Sequence, residues 1–181
     1  MREFNREFKK IFKETQRRLG KMEPGWKIGP IKIEGDDYPQ TTCNEITKCV
    51  VVRVTKSTLE YPTRRTYQLT HESVHCLSPR DKSDTLFFEE GLANWYTLTN
   101  PALPEEYREE SKAILDPLLA KPFQIFCELN PTYQRISALR AECPGLDEVT
   151  VELIIKHFGA SETLAKRLMD RLPSYRPSVM K

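Results

Sequence analysis

The chain has 181 residues, 39% hydrophobic and 30% charged, with 13 Pro, 7 Gly and no low-complexity tract. This is the composition of one folded, polar-surfaced domain with length enough for a sizeable core, and it excludes a disordered or fibrous protein. The 28 Lys and Arg against 26 Asp and Glu leave a net charge of +2, so no global field favours nucleic acid or an anionic membrane.

No apolar run approaches the ~20 residues that cross a bilayer, so no membrane span is expected. Charges interrupt every apolar pair in positions 1–10, which leaves no signal-peptide core. Five cysteines, Cys43, Cys49, Cys76, Cys127 and Cys143, are odd in number and lack Cys-x-x-Cys spacing. That pattern points to reduced thiols and a cytoplasmic location.

In chain order, Phe4, Phe8, Ile11, Phe12 and Leu19 fall at helical spacing and predict an amphipathic helix over 2–19, ended by Gly20. Eight Lys or Arg through Lys21 against three Glu make its outer face basic. Between Pro24 and Thr58 the pattern changes. Trp26, Ile28, Ile31 and Ile33, and then the run Cys49-Val50-Val51-Val52-Arg53-Val54-Thr55, read as strands, with turn chemistry at Gly35-Asp36-Asp37 and Pro39.

Tyr61-Pro62 marks a boundary, after which Thr63 can cap a helix running to about Leu77. Ser78-Pro79 stops it. Ser83 or Asp84 can cap a second helix over 85–98, closed by Asn100-Pro101. Further helices are expected near 104–120, 122–129, 132–142, 147–158 and 161–171, with Ile154, Ile155 and Phe158 on a buried face. The expected fold class is α+β: one domain over 1–181, with a small twisted sheet and the site helices in 1–100, a helical lobe in 101–172, and a loose tail in 173–181 carrying Pro173 and Pro177.

The chemistry lies in the first of the two central helices. His71-Glu72-Ser73-Val74-His75 is a His-Glu-x-x-His motif, whose imidazoles at i and i+4 share one helix face and can grip one metal ion. Glu72 lies about 100° round the helix, beside the metal and placed to take a proton from water. In a chain with 3 His the pattern is expected about 0.005 times by chance. Two histidines leave a catalytic zinc one protein ligand short.

The other histidine, His157, stands in an apolar stretch where packing or surface exposure competes with ligation. Cys76 adjoins His75 but points off its face, which leaves carboxylates. Phe87-Phe88-Glu89-Glu90-Gly91-Leu92-Ala93-Asn94 supplies an acidic pair in an otherwise apolar helix, costly to bury without a partner charge. Glu89 and Glu90 lie about 100° apart, so one coordinates while the other faces solvent or binds a basic group.

His71-Glu72-Ser73-Val74-His75 followed by Glu90-Gly91-Leu92-Ala93 resembles the gluzincin branch of the zincin metallopeptidases, over roughly residues 49–96. The 14 residues between His75 and Glu90 make small single-domain gluzincins and ImmA/IrrE-like peptidases the closer comparison. The resemblance implies a zincin-like fold, with Zn2+ on His71, His75 and Glu90 and with Glu72 as general base. It makes Asn94 the residue that orients His71, where relatives use an acid. It further implies an oxyanion donor from the C-terminal lobe, for which Tyr107, Tyr133 and His157 are candidates.

The Val-rich strand at 49–56 would be the edge strand along the cleft, to which an extended peptide adds. The expected partner is therefore a peptide or protein substrate, with no nucleic acid. The competing expectation is a non-catalytic zinc-binding relative serving as a binding module or regulator. Retention of Glu72 speaks against it, because a structural site has no use for a base.

Overall fold

The computed structural model describes residues 2–34, 39–80, 85–113, 115 and 117–172. The turn expected at Gly35, Asp36 and Asp37, the cap expected at Ser83 or Asp84, and the tail with Pro173 and Pro177 lie outside them. Phe4, Phe8, Phe12, Thr15 and Leu19 form the buried stripe of α1 (Arg2–Leu19). Gly20, at φ 107°, ends that helix in a backbone conformation that a Cβ disfavours.

The sheet is built from β1 (Lys27–Ile28), β2 (Lys32–Ile33), β3 (Gln40–Asn44) and β4 (Cys49–Val54). Its centre is β4, which pairs in parallel with both β1 and β2 and antiparallel with β3. This corrects the expectation that the Val-rich strand is the edge. A β-branched run whose Val50, Val52 and Val54 are fully buried suits a strand paired on both sides. The polar strand β3 pairs with β4 alone among the described strands. It was not anticipated, because Gln40, Thr41, Thr42, Cys43 and Asn44 carry no apolar alternation.

The helix with the motif, α2 (Pro62–His75), starts with Pro62 at its first turn behind Tyr61, which makes no side-chain cap bond. The cap expected at Thr63 is therefore replaced by proline, whose missing N–H costs nothing at that position. Ser73, on the back of α2, bonds Thr15 of α1 at 2.7 Å between hydroxyl oxygens. The next helix, α3 (Phe87–Leu98), is buried along nearly its whole length between α2 and α5 (Pro117–Cys127).

Gly91 allows that packing. A Cβ there would stand 2.5 Å from Phe126 Cβ and 2.7 Å from the Pro122 carbonyl oxygen. Gly91→Ala is therefore expected to destabilise the fold by about 1–3 kcal/mol despite alanine's better helix propensity, since α5 must move. A urea titration checks this, and an unchanged midpoint would show that the helices have room.

The helical lobe differs from expectation in detail. α4 (Glu105–Ala113) and α5 replace the segments expected at 104–120 and 122–129, and Pro122 sits inside α5 instead of opening it. Proline there gives up one backbone donor, a cost that the tight α3–α5 packing outweighs. Next come α6 (Tyr133–Glu142), α7 (Val151–Phe158) and α8 (Glu162–Leu168), each capped by a hydroxyl, from Thr132, Thr150 and Ser161. Of the face expected on α7, Ile154 and Phe158 are buried but Ile155 is 36% exposed.

Arg140 of α6 is buried and donates to the carbonyls of Lys21 at 2.6 Å, Leu77 at 3.3 Å and Pro144. Burial lowers its guanidinium to a pKa of about 10, against the raising influence of Glu23, Cys143 and Glu89. Among the described residues no helix is long and apolar enough to cross a membrane.

Candidate metal centre

Every residue from Gln68 to His75 is buried in the last two turns of α2. The i, i+4 spacing stacks His71 and His75 on the side that faces α3, and their Nε2 atoms stand 3.2 Å apart. From α3, Glu90 brings Oε1 to 3.3 Å from His71 Nε2 and Oε2 to 3.5 Å from His75 Nε2. The three residues are buried and offer ligand atoms all within 4.8 Å of one another, so the group could hold a metal ion.

Burial alone would push the Glu90 carboxyl up. The two imidazoles prevail, His71 most strongly, and hold it well below the usual carboxylate range. Asn94 Nδ2 donates to Glu90 at both its backbone oxygen and Oε1, each at 3.0 Å.

Asn94 thus bonds Glu90 through Nδ2, whereas its Oδ1, the acceptor expected to orient His71, is buried without a hydrogen-bond partner among the described residues. The reason is local: Asn94 lies four residues along the same helix, directly over Glu90. His71 Nδ1 is buried and without a hydrogen-bond partner among the described residues. Its ring is flanked by Tyr67, nearly parallel at 10° with 6.5 Å between centroids.

Glu89 is also buried, and its Oε1 lies 2.6 Å from His75 Nδ1. A carboxylate accepts, so His75 Nδ1 is the donor in this contact, while Nε2 faces His71 and Glu90. Of the two roles open to the second acid, the structure shows contact with a basic ring and not exposure to solvent.

Glu72 is 1% exposed, and its Oε2 accepts a 2.5 Å bond from Thr41 Oγ1 of β3. Cys76, one turn after Glu72, places its sulfur 4.0 Å from the same hydroxyl. Neither Thr41 nor Tyr67 was singled out in the sequence. Tyr67 could have been, since it lies one turn before His71, whereas nothing in the sequence links Thr41 to Glu72.

The three oxyanion candidates part company. Tyr107 meets Tyr67 edge-on at 6.1 Å and so joins the aromatic stack over His71. Tyr133 packs on Trp95 and Tyr96 beneath the Arg18 guanidinium. His157 bonds Glu142 at 3.0 Å.

No known family, curated protein or solved structure matches the chain.

Proposed function

We propose that this protein is a zinc-dependent metallopeptidase of gluzincin type, with His71, His75 and Glu90 as the metal ligands and Glu72 as the general base. The observation that carries the reading is the ligand triangle. Ligand atoms about 2.0–2.1 Å from a tetrahedral zinc stand about 3.3–3.4 Å from one another. Here His71 Nε2 and His75 Nε2 stand 3.2 Å apart, and Glu90 spans them with its two oxygens, Oε1 at 3.3 Å from the first and Oε2 at 3.5 Å from the second, so that one ligand atom from each residue lies within 4.8 Å of the others. A two-nitrogen, one-carboxylate set leaves a position for water or substrate, as catalytic zinc sites require.

When bound, zinc supplies Lewis-acid polarisation of a carbonyl and lowers the pKa of water to about 7. The rest is the work of the chain. Thr41 holds the Glu72 carboxylate through Oε2, and that carboxylate would take the proton from the attacking water and deliver it to the departing amine. Asn94 Nδ2 orients Glu90. An extended peptide adds to β3, which pairs with β4 alone among the described strands and carries the Thr41 that meets Glu72, so main-chain bonds carry much of the binding.

The test is digestion of a broad peptide library by the zinc-loaded chain, read by mass spectrometry against a chelator-treated control. New peptide termini in the loaded sample alone are expected. A chain that takes up one zinc and cuts nothing is instead a binding module, and a chain that takes up none removes the reading altogether.

A further inference from the structure

We propose that Glu89 is a positioning residue of this centre: by accepting the Nδ1 proton of His75, it holds that ring in the tautomer and orientation that present Nε2 to the metal position. The inference rests on the metal-centre reading above. Because Glu89 and Glu90 diverge by about 100° on α3, they reach the same imidazole from its two nitrogens. Glu89 Oε1 lies 2.6 Å from Nδ1 and Glu90 Oε2 lies 3.5 Å from Nε2. His75 is thus clamped between consecutive carboxylates of a neighbouring helix.

His71 has no such clamp. Its Nδ1 lacks a hydrogen-bond partner among the described residues, and Asn94 bonds Glu90 through Nδ2 while its Oδ1 is buried without a partner. The two histidines are therefore unequal ligands, with His75 fixed by hydrogen bonding and His71 by its contact with Tyr67 and its helix. Outer partners of metal-bound histidine raise its basicity and fix its ring, and their loss typically lowers metal affinity about 10–100-fold. Burial strengthens the effect, because water cannot replace the lost acceptor. Helix α3 tolerates the buried acid because Glu89 stands in its first turn, where the helix dipole favours negative charge.

Three variants test the role. Glu89→Ala removes acceptor and charge, Glu89→Gln keeps an acceptor oxygen without the charge, and Glu89→Asp keeps the carboxylate on a shorter arm. Zinc affinity, measured by competition with a chromophoric chelator, should fall about 10–100-fold in Glu89→Ala. It should fall less in Glu89→Gln and recover in part in Glu89→Asp. Long-range 15N–1H NMR of the metal-free chain should show His75 protonated on Nδ1 in wild type and in Glu89→Gln, and shifted toward the Nε2 form in Glu89→Ala.

A merely structural acid would change stability and leave both the tautomer and the affinity alone. If wild type binds zinc and Glu89→Ala binds it within twofold, the positioning role is overturned and the metal centre stands. If wild type takes up no zinc, the centre itself is overturned. Should Glu89→Ala not fold, Glu89→Met decides, because it keeps the bulk but offers Nδ1 no oxygen acceptor, with affinity within twofold of wild type overturning the proposal.

Discussion

Glu90→Ala is expected to strip the centre to two protein ligands and to lower zinc affinity by more than the about 100-fold that an outer partner can account for. Glu90 is the group of α3 whose oxygens reach both imidazoles, at 3.3 and 3.5 Å. Its removal leaves two neutral rings and no anion to balance a divalent ion in a buried setting. Chelator competition at neutral pH measures the loss. Acid should mimic it in wild type, since protons compete for the lone pairs of His71 and His75. Affinity equal to wild type, or a larger loss in Glu89→Ala than in Glu90→Ala, would mean that the third ligand is misplaced.

The second large effect belongs to Glu72. Glu72→Gln should retain one zinc and the fold, and should lose about 10²–10⁴-fold in turnover on any peptide found by library digestion. Glutamine fits because Thr41 Oγ1, which donates to Oε2 at 2.5 Å, can donate equally to an amide oxygen. The amide oxygen keeps the contact but is too weak a base to take the proton. Metal content and the circular dichroism spectrum serve as controls, and wild-type turnover in the variant would remove Glu72 from the role of base.

Much of this arrangement is legible in the sequence wherever the information is periodic. Phe4, Phe8, Phe12 and Leu19 announce α1, and His71 and His75 announce a shared helix face, because both patterns depend on one helix alone. What depends on how two elements meet is not legible. The angle between Glu89 and Glu90 says that one acid leaves the metal face, but it does not say that the last turn of α2 waits there with His75. The strand β3 is invisible for the same reason. Its polar residues become a strand by pairing with β4, and Thr41 then meets Glu72 across 31 positions. Asn94 shows the opposite failing: a long-range partner was expected from the motif, while plain i, i+4 helix geometry already offered Glu90.

The buried Arg140 guanidinium has a consequence for chain topology. A metal on His71, His75 and Glu90 would close only the short segment between positions 71 and 90, whereas the Arg140 bond to the Lys21 carbonyl closes a loop of 119 residues. Loop-closure entropy grows as the logarithm of length, so the longer closure costs about 1.6 kcal/mol more than the shorter. The larger entropic task thus falls to a side chain that is present whether or not a metal is bound. Arg140 also holds the Leu77 carbonyl, two residues beyond His75, so the end of the ligand-bearing helix is moored to the helical lobe. Exchange of a metal held there would therefore be a local event at the α2–α3 seam, while the long-range architecture is kept by a cation of the chain's own.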